Sequence, residues 1–437
     1  MITILVGQVP FTSINMGTCT SLAGRIVINS ILDAEIDGLG DHETPIFPIV
    51  VFKVRAGKNR YSGDPNYDLY LKAIESTSKR MYPNYVNCDA SFNAPLIDDD
   101  DIDTEAATMG CRTRVMSDIF GWKGVSGKGN ISPCTINLPL IAVKHGICLG
   151  ERTEADIKGF YNELDEMLDF TLEQLVYRFE YQGKQIAMSS DFMMREGTWR
   201  YGKTLRPDQP IKELLKHGSL AIGFCGLAET LVALYGKHHG EDKEVWKAGY
   251  NIVKYIRDYC DRKTKELQLN ITCYATPAES TCGKFRNAIY KKYGKIEGVS
   301  DREYITNSFH IPVWFKITAK EKIELEAPFH KLCNAGHISY VELDGNARNN
   351  PAAIHSIIDY ALDMDMGYVS VNFNLDRCPR CGYEGIIGNE CPKCLAKDNV
   401  DVHISRIRRV TGYLNGDYTV RFNPFKQAEV RDRIKHM

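Results

Sequence analysis

The 437-residue chain is short of several things, and each shortage closes off a class of function. There is no excess of positive charge: 54 Lys and Arg stand against 56 Asp and Glu, for a net charge of -2. A general nucleic-acid binder carries a surplus of cations, so no nucleic-acid partner is expected. No apolar run approaches the roughly 20 residues that span a bilayer, which argues against a membrane protein. The opening Met1-Ile-Thr-Ile-Leu-Val6 is apolar but has neither a basic start nor a small-residue cleavage site, so it does not read as a secretory signal. Cytoplasm is the expected compartment. Internal repeats and low-complexity linkers are missing. So is a phosphate-binding loop: Gly124, Gly127 and Gly129 cluster, but no Gly-Lys-Ser/Thr ending follows.

What remains is an ordinary globular composition, 43% hydrophobic and 25% charged. Residues 7–15 mix β-branched residues, Gly and Pro and read as a buried strand and loop. Pro48 to Val54 is a nearly continuous apolar run of strand length, the mark of a parallel strand covered on both faces. Between them, Ile26, Ile28, Ile31, Leu32 and Ile36 recur at helical spacing, giving a strand-helix-strand unit. The clearest helix runs from Thr153 to Tyr181, with apolar residues three and four apart. Further helices are expected at 211–217, 226–237, 243–266 and 352–363, and strands near 270, 338 and 368. The acidic run Asp98 to Asp103 reads as a solvated loop. Thr276-Pro277-Ala278-Glu279 reads as a helix start, with Thr276 as cap, Pro277 at the first helical position and Glu279 completing a capping box. The whole is one large α/β body ending in a metal knot and a tail.

Fourteen cysteines without a secretion signal read as reduced thiols and metal ligands. Four of them form two Cys-x-x-Cys pairs, Cys378/Cys381 and Cys391/Cys394, with nine residues between the pairs. That is zinc-ribbon spacing. Four thiolates close a tetrahedron and leave no open position, so the expected Zn2+ is structural. Shortly after it comes Arg408-Arg-Val-Thr-Gly-Tyr-Leu414, basic on one side, apolar on the other, with Gly412 in the middle. Glycine usually serves backbone freedom alone. It is also the residue whose α-carbon radical lies flattest between two peptide groups.

Seven segments carry a resemblance, in order: Gln8-Val-Pro-Phe-Thr-Ser-Ile-Asn15, Met109-Gly-Cys-Arg-Thr-Arg114, Asn137-Leu-Pro139, Gly226-Leu-Ala-Glu-Thr230, Ala275-Thr-Pro-Ala-Glu-Ser280, Thr306-Asn-Ser-Phe-His310 and Arg409-Val-Thr-Gly-Tyr-Leu414. Together with the cysteine pairs they resemble the anaerobic (class III) ribonucleoside-triphosphate reductases over essentially the whole chain. The resemblance implies a ten-stranded α/β barrel, here N-terminally incomplete, over 1–370, a zinc ribbon over 371–400 and a glycyl radical domain over 401–437. It implies that a radical stored on Gly412 oxidises Cys111, whose thiyl then attacks a ribonucleoside triphosphate. Asn130, Tyr274 and Glu279 match polar positions around substrate and formate, the implied reductant. Thr276, Ala278, Ser280 and Thr281 would line the phosphate end, where a helix start offers free N–H groups. The implied partners are deoxynucleoside triphosphate and ATP effectors, an activating enzyme that uses S-adenosylmethionine, and a second copy in a homodimer.

The pattern departs from the family at the front. The regulatory cone and the first barrel strand, which bears a second active-site cysteine, have no counterpart, and neither Cys19 nor Cys88 replaces it. A separate N-terminal chain, or a catalytically incomplete fragment, is therefore one alternative. The other is a glycyl radical enzyme of the pyruvate formate-lyase type. Those lyases use two adjacent cysteines, and no Cys-Cys pair occurs here. His310 reads as a satisfied core histidine.

Overall fold

The computed structural model describes residues 12–345 and 347–436. Residues 7–11 of the expected first strand and loop lie outside that range. In chain order the body begins with β1 (Ser13–Met16), β2 (Ile49–Val54) and β3 (Asn84–Asn87). A hairpin of β4 (Ala107–Met109) and β5 (Thr113–Val115) follows, then β6 (Asn130–Asn137), β7 (Ser219–Cys225) and β8 (Asn270–Ala275). The body closes with β9 (Ser339–Glu342) and β10 (Tyr368–Asn372).

These strands form two main sheets. One is five-stranded, in the order β1-β2-β3-β10-β9; the other is three-stranded, β6-β7-β8. All pairs are parallel except β3 with β10. The resemblance implied a ten-stranded barrel. Among the described residues the sheets are five- and three-stranded, with the β4–β5 hairpin a separate two-stranded piece.

Every residue of β2 is buried, as its nearly continuous apolar run requires when both faces are covered, and its one charged residue, Lys53, pairs with Glu105. The helices Leu22–Asp37 and Tyr67–Arg80 pack together beside this sheet. The helix expected from Thr153 begins at Ile157, because the Asp156 carboxylate accepts from the Gly159 N–H at 2.8 Å and fixes the start there. It packs its apolar stripe, from Phe160 to Phe179, into the core around β6–β8. The helices 227–235, 243–267 and 351–363 fall within two residues of the expected ranges. The acidic run lies in an exposed loop with a single helical turn at Ile102–Thr104.

The tail is a second unit. β11 (Leu375–Arg377), β12 (Glu384–Gly385), β13 (Ser405–Arg409) and β14 (Leu414–Asp417) make an antiparallel sheet in the order β12-β11-β13-β14. The cysteine pairs flank β12, and Gly412 lies in the turn between β13 and β14. Val410, Tyr413 and Leu414 are buried in the same core as β2 and β10, so this hairpin is plugged into the body.

Candidate active site

Two loops meet in the middle of the body. The tip of the β4–β5 hairpin carries Cys111, and the turn between β13 and β14 carries Gly412. A methyl carbon placed on Gly412 would lie 1.7 Å from the Cys111 carbonyl oxygen and 2.6 Å from its Cα. The two backbones are therefore in contact, and only a residue without a side chain fits. Burial pushes the Cys111 thiol up from its ordinary pKa, against the opposing pull of Thr411 and the Gly412 N–H. It is held as a thiol rather than a thiolate.

Both loops are pinned. The Gly412 carbonyl accepts from Asn84 Nδ2 at 2.9 Å and from Arg409 Nη1 at 3.0 Å. The Tyr82 hydroxyl accepts from the Leu414 N–H at 2.9 Å. On the hairpin, Arg112 is buried and donates to the carbonyls of Ala275 and Thr276 at 3.0 and 3.1 Å. Gly336 packs against its other side, where a Cβ would lie 2.2 Å from the Arg112 carbonyl oxygen.

The strand-to-helix turn after β8 holds both loops. The Tyr274 and Thr113 hydroxyls are 2.8 Å apart, which ties the turn to the hairpin. The Tyr413 hydroxyl donates to Glu279 Oε1 at 2.8 Å, which ties it to the Gly412 loop. Burial pushes the Tyr274 phenol well above its ordinary value, so it stays protonated.

Here the capping-box expectation is corrected. The helix starts at Ser280, later than Pro277, with Glu279 itself at the cap position and no side-chain cap bond. Glu279 is held in a non-helical conformation and spends its carboxylate on Tyr413, while the Thr276 hydroxyl lies 3.0 Å from that of Thr135. The first turn is thus left without the side-chain acceptor that a capping box supplies. Thr276, Glu279, Ser280 and Thr281 are half-buried and Ala278 is buried.

Asn130 opens β6. Both its amide nitrogen and its amide oxygen are buried and unpartnered among the described residues. Its neighbour Gly129 lies against the Met109 side chain, two residues before Cys111. A buried amide in that state is a site for a ligand or water. Cys111 and Gly412 are thus in backbone contact, Tyr274 and Glu279 are bonded to their loops, and Asn130 reaches the hairpin through Gly129. Sequence reasoning missed Asn84, Arg112, Thr113, Gly336, Arg409 and Tyr413. Four of these lie inside the motif segments around Cys111 and Gly412, where a role is recognisable. Asn84 and Gly336 carry no signal, because their partners are remote in sequence. His310 is the buried histidine expected, 3.2 Å from Glu326.

Away from this centre, the sulfurs of Cys378, Cys381, Cys391 and Cys394 all lie within 4.8 Å of one another. Cys378 and Cys394 are 3.7 Å apart, and Cys381 and Cys391 are 3.6 Å apart. Four sulfurs around one ion at about 2.3 Å stand about 3.8 Å apart, so the cluster fits a metal ion. Among the described residues no helix is long and apolar enough to cross a membrane.

Comparison with known proteins places the chain as a whole. A family model described as anaerobic ribonucleoside-triphosphate reductase matches residues 1–436. The enzyme of that name from Haemophilus influenzae is 34% identical over 447 residues, covering 99% of this chain and 59% of the relative. That of Enterobacteria phage T4 is also 34% identical, covering 98% of this chain and 69% of its own. A solved anaerobic ribonucleotide reductase superposes with a TM-score of 0.65 at 16% identity, over 98% of this chain and 64% of that one. A B12-independent glycerol dehydratase from Clostridium butyricum superposes at 0.60 with 10% identity, over 98% of this chain and 57% of the other, so the fold is shared beyond the reductases. The chain spans 59% of the length of the Haemophilus relative. On the family match and the 34% identity to its relatives, the chain belongs to the anaerobic ribonucleoside-triphosphate reductase family.

Proposed function

We propose that this chain carries the radical centre for reduction of ribonucleoside triphosphates to 2′-deoxyribonucleoside triphosphates, with Gly412 as the radical store and Cys111 as the residue that attacks the sugar. The observation that carries this is the backbone contact between Cys111 and Gly412, residues roughly three hundred positions apart. Hydrogen-atom transfer needs reacting atoms at about 3–3.5 Å. In the proposed cycle the Gly412 α-carbon radical takes the hydrogen of the Cys111 S–H. The sulfur radical then takes the 3′-hydrogen of the ribose. The 2′-hydroxyl leaves as water, and formate supplies the reducing electrons and hydrogen and leaves as carbon dioxide. Protonated Cys111 suits this, because a thiolate has no hydrogen atom to give.

Asn130, with its unpartnered amide, and the Tyr274 phenol are proposed to contact the sugar, and Glu279 to assist proton movement at the 2′-position. The uncapped helix start at Ser280 and Thr281, with Thr276 and Ala278, is proposed to take the triphosphate. Zn2+ bound by Cys378, Cys381, Cys391 and Cys394 would tie β11 to β12 and so hold the base of the Gly412 hairpin. The domain division at 370 and 400, the cytoplasmic setting, effector nucleotides, a homodimer, an activating enzyme that uses S-adenosylmethionine, and a separate chain supplying the second cysteine belong to the same proposal. A Thermotoga maritima relative has been solved in complex with dATP and CTP.

The test reads the radical directly. After anaerobic activation, electron paramagnetic resonance should show a doublet that collapses to a singlet when glycine is deuterated at the α-carbon. A signal unchanged by that labelling would end the assignment to a glycine.

A further inference from the structure

A small cavity of about 40 Å³ is bounded by Arg112, Asn307, His310, Tyr340, Thr411 and the C-terminal segment around Lys426 and Arg433. That is room for a few waters or one ion of three or four heavy atoms, and far too little for a nucleotide. The charges around it do not balance. Lys322 is paired with Glu326, Lys426 with Glu429 at 2.6 Å, and Arg433 with Glu429 at 2.9 Å and, at 3.9 Å, with Glu342, a carboxylate that also lines the cavity. Burial holds His310 and His436 down to about 4, so both are neutral near pH 7. Of the cations that line the cavity, Arg112 is the one without a carboxylate partner among the described residues. It is 1% exposed, forms no ion pair among the described residues, and bonds only to neutral groups: the Ala275 and Thr276 carbonyls, Asn307, Ser308, His310 and Tyr340. Among the described residues its Nε has no partner, and the buried Thr411 hydroxyl has none beyond its contact with the Cys111 sulfur. An unpaired buried guanidinium is costly, and a buried donor left unmade costs further. A single anion in the cavity removes both penalties.

We propose that this cavity binds a small monoanion of the size of formate, held by the Arg112 guanidinium and by the Thr411 hydroxyl, whose side chain also contacts the Cys111 sulfur. The site is thus distinct from the Asn130, Tyr274 and Glu279 surface to which the resemblance assigned formate. That the anion is the reductant rests on the function proposed above; the anion site itself does not. The position is apt for a reductant, since the Thr411 side chain that would hold the carboxylate contacts the sulfur that becomes the radical, while the nucleotide keeps the uncapped helix start.

The test titrates the full-length chain, under anaerobic conditions, into 13C-formate and separately into 15N-nitrate, a planar anion of similar size, and follows nuclear magnetic resonance line widths. Both lines should broaden, and each anion should reverse the effect of the other. Arg112→Gln should abolish binding. Thr411→Val keeps the side-chain shape, and should weaken binding about tenfold, the loss of one hydrogen bond to a charged group. Asn130→Ala should leave binding unchanged. Arg112 also ties the hairpin to β8, so Thr411→Val, checked for wild-type melting, carries the test if Arg112→Gln does not fold. No broadening of either line, equal broadening in Thr411→Val, or loss of binding in Asn130→Ala would each overturn the site. Arg112-dependent nitrate binding without formate binding would uphold the anion site and overturn formate as its occupant.

Discussion

Replacing Gly412 by alanine tests the contact and the chemistry in one variant. The added carbon would sit 1.7 Å from the Cys111 carbonyl oxygen, where ordinary contact begins at 3.4 Å. One loop must retreat by more than an ångström. Neither is free to do so cheaply: the Gly412 carbonyl is held by Asn84 and Arg409, and the hairpin by Arg112 and Gly336. Overpacking of this kind costs about 1–3 kcal/mol. At roughly 2 °C or more per kcal/mol, the melting temperature should fall by a few degrees. After activation Gly412→Ala should give no doublet, and air should no longer cut the chain at residue 412. Loss of turnover alone would prove little, because a displaced Cys111 is also inactive. Gly336→Ala supplies the control: it presses on the same hairpin from the other side, with a Cβ 2.2 Å from the Arg112 carbonyl oxygen, yet leaves Gly412 in place. It should melt lower and turn over more slowly while keeping both the doublet and the air-induced cut. A doublet in Gly412→Ala, or wild-type melting of that variant, would refute the reasoning.

Three further outcomes are expected. Cys378→Ser should lose the bound metal, measured as zinc per chain, and raise amide exchange across residues 376–437 with little change in β1–β10; a metal-free chain whose tail exchanges as slowly as wild type would count against the knot. Tyr413→Phe removes the 2.8 Å bond to Glu279 and should cost about 1–2 kcal/mol, seen as faster amide exchange at 410–414; unchanged exchange would mean the bond does not hold the loop. Burial raises Glu229 to about 7 even though it accepts from the Thr306 N–H and hydroxyl, so the folded chain keeps a proton that the unfolded chain has released. That stabilisation is complete below about pH 4.5, shrinks as pH rises and is gone above about 7, roughly 3 kcal/mol in all. Glu229→Gln should flatten this part of the pH dependence of unfolding, and an unaltered profile would show that Glu229 ionises normally.

Much of this arrangement is legible in the sequence, and the parts that are not follow a pattern. The helices at 227–235, 243–267 and 351–363 are readable because their apolar residues repeat locally. The four-sulfur cluster is readable because two short cysteine spacings encode it. The helix start at Thr276 misleads because the deciding contact is not local: Glu279 is claimed by Tyr413, 134 residues away. A capping box does form where nothing competes, at Thr318 and Glu321. Asn84 reaches Gly412 across 328 residues, and no local pattern announces such a pair. Cys111 and Gly412 are legible through resemblance, since a lone cysteine or glycine has little local signature.

The antiparallel tail has a mechanical consequence. β13 pairs with β11 on one side and β14 on the other, and β11 pairs with β12 beside the cysteine knot. Gly412 is therefore the far end of a stiff arm whose root is the knot, not the tip of a slack loop. Drawing it away from Cys111 would swing the arm as a lever instead of unravelling it, and the ladder bonds of β13 and β14 would survive the stroke. The reach of that swing, and whether Gly412 returns to the same contact, would then be set at the root, by sulfurs that lie away from Cys111 and Gly412.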